Sequence, residues 1–390
     1  MRVLVLGGCG IQGRAAVFDL ARSAGVEKVI CADADVGCLE RSQGHLNMAK
    51  VTPAAFDATQ VDQIKALFEQ VDVAIDLLPR QFFDLVCQAA LATGVSVVNT
   101  NYGYNIRHLD AAAHDAGIAL MPECGLDPGI DLVLYGEARR RFDKLEVLNS
   151  YCGGLPEPRA ADNPLKYKVS WTWEGVLAST LREGRAIRDG KEIAVTPENQ
   201  HEVDLIHEID FPTLGALEAV PNGDAVFFTD LLGVTPTLRE TGRYSLRWPG
   251  WCAFWAPLKK LGFLSNTPVA GLACEVTPFE FMTQHLGPQL QYKDDEKDLV
   301  AMYNLFEGIH DGRRKRLVSH LLIERDLDTG MMAMSKGVGY PASIVAQMMA
   351  NGEISAKGVL SPVTDIPYDG FMAALNQRGI QIEEVETWLD

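Results

Sequence analysis

Short apolar runs alternate with stretches of helical periodicity over the first 125 residues. Val3–Leu6, Lys28–Ala32, Val71–Leu78, Ser96–Asn99 and Ile118–Met121 are too short for helices and read as buried strands, with a weaker strand at Ala54–Phe56. Between them Ile11–Ala24, Val61–Phe68, Phe82–Leu91 and Leu109–Ala116 place apolar residues at helical spacing, and a polar helical stretch covers Leu39–Met48. Strands alternating with helices of about three turns predict βαβ units and an α/β, doubly wound parallel sheet.

The texture changes after residue 125. Leu145–Tyr151, Tyr244–Trp248, Leu299–Phe306 and Leu317–Arg325 are longer and alternating, and turn signals such as Asp189-Gly190, Asn222-Gly223 and Asp311-Gly312 punctuate the region. This predicts an α+β second domain with a mainly antiparallel sheet. The basic run Arg313–Arg316 follows Asp311-Gly312, so a solvated hairpin explains it better than a nucleic-acid patch. Trp248–Leu264 is apolar and aromatic but interrupted by Pro249, Pro257, Lys259 and Lys260, which fits a core or subunit-contact helix better than a membrane anchor. Pro341–Met349 and Gly370–Arg378 read as helices, and Ile380–Val385 as a strand or tail. These last elements either close the second domain or fold back onto the first.

A chain of 390 residues suggests two or three domains. Its 35 Lys+Arg against 52 Asp+Glu give a net charge of −17, which repels phosphate backbones and anionic lipid. Neither nucleic acid nor a membrane is therefore an expected partner. The cysteines at 9, 31, 38, 87, 124, 152, 252 and 274 are dispersed without a CxxC pair, so neither a zinc ribbon nor a disulfide scaffold is expected. A reducing, cytoplasmic setting fits this usage. Met1–Gly7 is short and broken by glycine, unlike a signal peptide, and no uncharged run reaches transmembrane length.

Gly8-Cys9-Gly10-Ile11-Gln12-Gly13 is G-x-G-x-x-G, placed directly after the first strand and opening the first helix. In that context Gly8 permits the tight turn, Gly10 admits a pyrophosphate to the backbone, and Gly13 lets helix and strand pack closely. Free N–H groups at the helix start hold the phosphate charge. The plain alternative is a strand-to-helix turn with no ligand. Asp33 lies 20 residues after Gly13, where a carboxylate meets ribose hydroxyls and repels a 2′-phosphate; this favours NAD over NADP. No Lys or Arg occurs between Cys31 and Glu40, the first being Arg41. Asp35 is a second candidate for the ribose role. Asp57 is a candidate to flank the adenine and, not exclusively of that, to cap the next helix. Leu77, Leu78 and Pro79, with Thr100, Asn101 and Tyr102, follow strands whose carboxyl ends line the crevice, on the nicotinamide side.

Glu123-Cys124-Gly125-Leu126-Asp127-Pro128-Gly129-Ile130-Asp131 resembles a signature of the saccharopine dehydrogenase family. Ser150-Tyr151-Cys152-Gly153-Gly154-Leu155-Pro156 is similar to its next signature, followed by Asn163-Pro164-Leu165-Lys166-Tyr167-Lys168-Val169-Ser170-Trp171. Leu246-Arg247-Trp248-Pro249-Gly250, Gly337-Val338-Gly339-Tyr340-Pro341 and Gly358-Val359-Leu360 extend the resemblance over most of the chain. It implies a Rossmann domain over 1–125, a substrate-binding and dimerisation domain over 126–335, and a C-terminal segment, 336–390, returning to the Rossmann domain. It also implies a homodimer and hydride transfer at the amine or imine centre of a lysine-derived amino acid, most like saccharopine. Asp127 and Cys152 resemble the saccharopine branch. The stretches Arg185–Lys191 and Leu246–Gly250 look closer to lysine 6-dehydrogenase. A carboxyspermidine-type dehydrogenase and a non-catalytic NAD-binding protein are the further alternatives.

An amine gives up hydride only when neutral, and an imine accepts it when protonated, so a positioned proton carrier serves both directions. The resemblance puts Asp127 near that nitrogen, as acid/base or as an anion holding a cationic amine; a structural Asp-Pro-Gly turn is the alternative. Cys152, with Gly153 beside it, reads as lining the pocket rather than as a nucleophile, because imine reduction needs no covalent intermediate. Arg247 is the expected partner of a substrate carboxylate, a surface strand charge being its plain alternative. No histidine has the spacing of a metal site.

Overall fold

The computed structural model describes residues 1–39 and 46–389. The strands in chain order are β1 (Arg2–Leu6), β2 (Lys28–Asp33), β3 (Val51–Ala55), β4 (Val73–Asp76), β5 (Ser96–Asn99), β6 (Ala119–Met121), β7 (Lys144–Pro156), β8 (Gly184–Arg188), β9 (Lys191–Val195), β10 (His207–Phe211), β11 (Gly215–Pro221), β12 (Glu240–Arg247), β13 (Asp298–His310), β14 (Arg313–Glu324), β15 (Gly358–Val359) and β16 (Glu383–Trp388). The helices include α1 (Gly13–Arg22), α2 (Val61–Phe68), α3 (Phe83–Thr93), α4 (Asp110–Asp115), α5 (Ile130–Arg141), α6 (Trp173–Ser179), α7 (Trp251–Lys260), α8 (Ala333–Ala350) and α9 (Tyr368–Gln377). The chain forms two compact units, Met1–Glu137 with Ser335–Gln381, and Ala138–Met334 with Ile382–Asp390. Texture marks a change near 125, and the resemblance implies a boundary at 335 with 336–390 returning to the Rossmann domain; the first unit runs on to Glu137, within α5, and Ile382–Asp390 joins the second unit instead.

The first unit is built on a parallel sheet of order β15-β6-β5-β4-β1-β2-β3. Its inner strands are short and buried along nearly their whole length, as in the four buried residues of β4, because helices cover both faces. Helix α1 buries Ala15, Ala16, Val17, Leu20 and Ala21. The strand order reverses between β1 and β4, and the carboxyl ends there form the crevice in which such sheets bind ligands. The C-terminal residues complete this unit. β15 pairs with β6, and a Cβ on Gly339 of α8 would lie 2.7 Å from the Gln12 carbonyl oxygen beside α1. Asp19 of α1 accepts hydrogen bonds from Ser343 Oγ and Arg378 Nε, both at 2.6 Å.

The second unit carries a sheet of order β10-β11-β12-β7-β13-β14-β16, with the β8–β9 hairpin attached to β12. It is antiparallel except where β12 runs parallel to β7. β13 and β14 form a long hairpin turning at Asp311-Gly312, Asp311 at φ 50° and Gly312 at φ 74°. The basic run opening β14 is answered by acids: Arg314 by Glu146 at 3.8 Å, Lys315 by Glu386 at 3.7 Å and Arg316 by Glu307 at 2.6 Å. Helix α7 buries Trp251, Cys252 and Trp255 in a core with Tyr167, Trp173, Val176 and Leu177. Among the described residues no helix is long and apolar enough to cross a membrane.

The periodicity reading and the structure part at β8 to β11 and at the terminal strand, and one stretch is left uncompared. Most of the helical stretch expected over Leu39–Met48 lies outside the described residues, and Leu46–Met48 sit in a bend and turn. β8 to β11 were not anticipated: β9 is mostly exposed, β8 and β11 lack a regular alternation, and β10 is only five residues long. The terminal strand starts at Glu383 rather than Ile380; every residue of β16 is exposed, so no apolar pattern marks it. It is recruited by pairing with β14 and by Arg141, which ion-pairs with Glu384 and Glu386.

Candidate functional site

The glycine loop spans the carboxyl end of β1 and the start of α1. The positive φ that makes the turn, 73°, falls on Gly7 rather than on Gly8; Gly7 and Gly8 both donate to the Ala32 carbonyl. Gly8 is needed for space instead, since a Cβ there would lie 2.5 Å from Cys31 Sγ. A Cβ on Gly13 would overlap the Gly7 carbonyl oxygen, so α1 packs directly on the loop. A Cβ on Gly10 would meet only that same oxygen, at 3.2 Å; its other side is open. Among the described residues the amides of Ile11, Gln12 and Gly13 have no backbone acceptor. Free amides at a helix start beside an open glycine face suit the phosphates of a dinucleotide.

Asp33 closes β2 beside this loop. One carboxylate oxygen accepts the Cys9 amide at 2.9 Å and the other accepts the Ala34 amide at 2.8 Å. The residue thus anchors the loop, a role its spacing from Gly13 does not reveal. Cys9 also forms a disulfide with Cys38, a pairing that the dispersed cysteines and the reading of a reducing setting did not suggest. The pair spans 29 residues of sequence, and only the chain folding back after β2 brings it together. Arg41 lies outside the described residues. Asp57 follows the edge strand β3, and its carboxylate accepts from the Thr59 amide and hydroxyl, so it makes a local turn rather than the cap of α2, which is Gln60.

Leu77 and Leu78 meet the glycine loop: a Cβ on Gly7 would lie 2.8 Å from the Leu77 carbonyl oxygen and 3.2 Å from Leu78 N; Pro79 follows them. Beneath them is a pair that the sequence reading missed. Asp76 and Asn99 close β4 and β5, each 1% exposed, and the Asn99 amide donates to Asp76 Oδ2 at 2.6 Å. Leu78 N donates to the other oxygen at 3.0 Å. Burial pushes the Asp76 carboxyl up to about 7, against the pull of those two donors. A polar residue ending an apolar strand was the available signal. Thr100, Asn101 and Tyr102 follow β5, and the Asn101 carbonyl accepts the Glu123 amide. The Tyr102 ring stacks on Tyr104 at 5.3 Å. The buried Glu123 carboxylate accepts the Gly103 amide at 3.0 Å and so holds this loop from below.

The Asp127-Pro128 peptide is cis. Its loop closes on itself: Gly125 N donates to the Pro128 carbonyl at 2.9 Å and Gly129 N to Asp131 Oδ1 at 2.9 Å. Asp127 is the one residue between Ile118 and Gly136 that is not buried. In this unit the structure therefore gathers the glycine loop, Asp33, the Leu77–Pro79 turn and the Thr100–Tyr102 loop at the carboxyl ends of the strands, with Asp127 on the loop after β6. Cys124 is fully buried, and burial raises its thiol well above the usual range, as in an inert packed cysteine rather than a nucleophile.

In the second unit Cys152 and Gly153 lie in the middle of β7, paired with β12 and β13. Gly153 answers a packing need, since any Cβ would run into the Leu246 carbonyl. Arg247 ends β12. It is 9% exposed, not the surface charge of the alternative reading. Its guanidinium lies over the rings of Tyr167 at 5.5 Å and Trp251 at 4.9 Å. Nη1 donates to the Leu246 carbonyl, while Nε has no partner among the described residues. Its strand neighbour Glu218 is committed to the amides of Gly250 and Cys252. An arginine buried against aromatic faces with an unspent N–H is built to receive a carboxylate.

The saccharopine dehydrogenase NADP binding domain matches residues 3–121, and the saccharopine dehydrogenase C-terminal domain matches residues 125–380. The mitochondrial alpha-aminoadipic semialdehyde synthase of Mus musculus is 27% identical over 444 residues, covering 97% of this chain and 47% of that protein. The chain thus spans about half the length of such mammalian relatives. The saccharopine dehydrogenase [NADP(+), L-glutamate-forming] of Saccharomyces cerevisiae is 28% identical over 396 residues, covering 85% of this chain and 88% of that protein. A solved apo structure of saccharopine dehydrogenase (L-Glu forming) from Saccharomyces cerevisiae superposes with a TM-score of 0.83 at 26% identity, over 99% of both chains. These similarities do not support the preference for NAD drawn from Asp33; they lean toward NADP.

Proposed function

This chain belongs to the saccharopine dehydrogenase family, and on that premise we propose that it oxidises the secondary amine of saccharopine with a nicotinamide dinucleotide. One observation carries the reading: the family's two domains match in order along the chain, and the likeness to an L-Glu-forming enzyme extends over its full length. The bound nicotinamide supplies hydride acceptance. The amides of Ile11, Gln12 and Gly13 are suited to its phosphates, and Leu77, Leu78, Pro79 and Thr100 to its far end. The 2′-phosphorylated cofactor is proposed, in line with the yeast relative.

The chemistry asks little of the protein beyond placing a proton and fixing the substrate. The C–H bond beside the amine nitrogen breaks as hydride leaves, and the nitrogen loses its proton, giving a C=N bond. Water adds to that bond and the C–N bond breaks, releasing glutamate and the semialdehyde. Asp127 is proposed to hold the nitrogen and carry its proton, Arg247 to hold a carboxylate, and Asn101, Tyr102, Cys152 and Gly153 to shape the pocket. Reduced-cofactor absorbance tests the reading, with saccharopine, with lysine, and in reverse with α-aminoadipate semialdehyde plus glutamate. Turnover of saccharopine with NADP well above that of lysine is expected. Turnover of lysine alone would assign the lysine 6-dehydrogenase branch, and no turnover of either would overturn the proposal.

A further inference from the structure

Asp76 and Asn99 end neighbouring strands and face each other in register across β4 and β5, both almost fully buried. The sheet itself asks for neither side chain. Its ladder is made by backbone groups, and Ile75, Val97 and Val98 beside them are apolar and buried. A buried carboxylate paired with a buried amide often adds nothing over well-packed apolar residues of similar volume, because desolvation offsets the pairing. The role of this pair follows from where its other atoms go.

Both side chains reach into loops. Asp76 Oδ1 accepts the Leu78 amide at 3.0 Å, and Oδ2 accepts Asn99 Nδ2 at 2.6 Å. Asn99 Oδ1 in turn accepts the Asn101 amide at 2.5 Å. Each side chain holds the backbone two residues ahead of it, and the bond between them ties the two loops together. The order is directional: a carboxylate offers only acceptors, whereas an amide offers one acceptor and one donor group. The relay extends on either side. Leu77 N donates to the Leu6 carbonyl at 3.0 Å, and the Leu77–Leu78 peptide packs on Gly7 of the glycine loop. The Asn101 carbonyl accepts the Glu123 amide at 3.0 Å, and a Cβ on Gly125 would lie 3.6 Å from Thr100 Cβ. One buried bond therefore joins the glycine loop and the Leu77–Leu78 turn to the Thr100–Asn101 loop and the segment leading to Asp127.

We propose that Asp76 and Asn99 are positioning residues for the dinucleotide, holding the Leu77–Pro79 turn and the Thr100–Tyr102 loop at one spacing so that the nicotinamide is gripped between them. This deepens, and rests on, the reading of those two loops as the far end of the cofactor cleft. The pair lies beneath the loops and acts through their backbone. The phosphates are served separately, by the amides at the start of α1, so the pair governs one end of the cofactor and leaves the other alone.

Fluorescence titration of the full chain with NADPH and with NADH reads the whole cofactor, and calorimetric titration with ADP reads the end that lacks nicotinamide. The work is done at about pH 8, above the value of about 7 to which burial pushes the Asp76 carboxyl, so that it carries its charge. Asp76→Asn sets two amides where one donor is wanted, and Asn99→Asp sets two carboxylates against each other. Each is expected to weaken the reduced dinucleotide about tenfold and to leave ADP unchanged. The double variant, Asp76→Asn with Asn99→Asp, runs the same bond in the opposite direction and keeps an acceptor for Leu78 N and for Asn101 N. It is expected to recover most of the loss. Asn99→Ser, which removes the acceptor of Asn101 N without bringing in a charge, serves if neither single variant folds. Equal loss of ADP, unchanged dinucleotide affinity in the single variants, or a double variant no better than either single one would each overturn the proposal. A lowered melting temperature with dinucleotide affinity intact would make the pair a packing feature and overturn it too. No substrate enters these titrations, which separates the two readings. Turnover of lysine alone by the wild type removes the saccharopine reading and leaves the pair standing. Saccharopine turnover by single variants with unchanged dinucleotide affinity removes the pair alone.

Discussion

Asp33 sits where a ribose-binding acid belongs, yet both of its oxygens are taken by backbone amides. A residue that anchors the phosphate loop affects either dinucleotide alike. Asp33→Ala is therefore expected to raise the KM of NAD and NADP together, by about tenfold, the worth of one hydrogen bond to a charged group. A rise confined to NAD, measured by initial rates with each cofactor, would return the residue to the ribose. Asp76 makes a prediction about pH. Its folded carboxyl titrates at about 7 because it is buried, above the unfolded value. Between about pH 4 and 7 the folded chain then holds a proton that the unfolded chain has lost, so stability from this group falls as pH rises through that window. Asp76→Asn cannot titrate. Urea midpoints at pH 4 and pH 7 should converge toward flatness in the variant, the difference reaching up to roughly 4 kcal/mol; parallel pH profiles would show that Asp76 is ionised in the fold.

At the scale of elements, β7 and β12 run side by side so closely that Gly153 has no room for a methyl group. Gly153→Ala is expected to cost about 1–3 kcal/mol, seen as a lower denaturant midpoint at constant slope; no change would show that the strands part easily. The glycine of a family signature is here a condition of strand pairing before it is anything else. Elements of this kind divide sharply in how legible they are. The inner strands of the parallel sheet were readable because burial on both faces leaves a continuous apolar run. The β13–β14 hairpin was readable from its alternation and Asp-Gly turn. β8 to β11 and β16 were not: β9, β10 and β16 lie at edges and are fixed by pairing rather than by apolar pattern, and β8 and β11, paired on both sides, lack a regular apolar alternation. At the site, Gly8–Gly13, Asp33, Asp127 and Arg247 stood out by motif. Asp76 and Asn99 did not, since a lone polar residue beside an apolar run announces neither its burial nor its partners. The cysteine pair failed for a related reason: a contact between loops leaves no periodicity in sequence.

On the scale of the whole molecule, the net charge of −17 is distributed with purpose. Arg314, Lys315 and Arg316 of the basic run are met by acids of neighbouring strands, while the buried Arg247 has none within ion-pair distance among the described residues. The first unit is closed by residues from both ends of the chain, and Asp19 is the joint, binding Ser343 and Arg378 together. Asp19→Ala leaves a mostly buried arginine without its partner, at a cost of about 3 kcal/mol. Calorimetry should then show the unfolding of the first unit moved to lower temperature and that of the second unmoved; a shift of both would mean that the two melt as one. The return of the chain also has a consequence in time. A ribosome delivers β1 to β6 early, but β15, α8 and α9, which finish that sheet and cover its first helix, emerge only after every strand up to β14 has been made. β16, the edge of the other sheet, comes later still. During synthesis both halves therefore wait, unfinished and with open edges, for the same stretch, residues 335–390, and a stop before it would injure the two halves together.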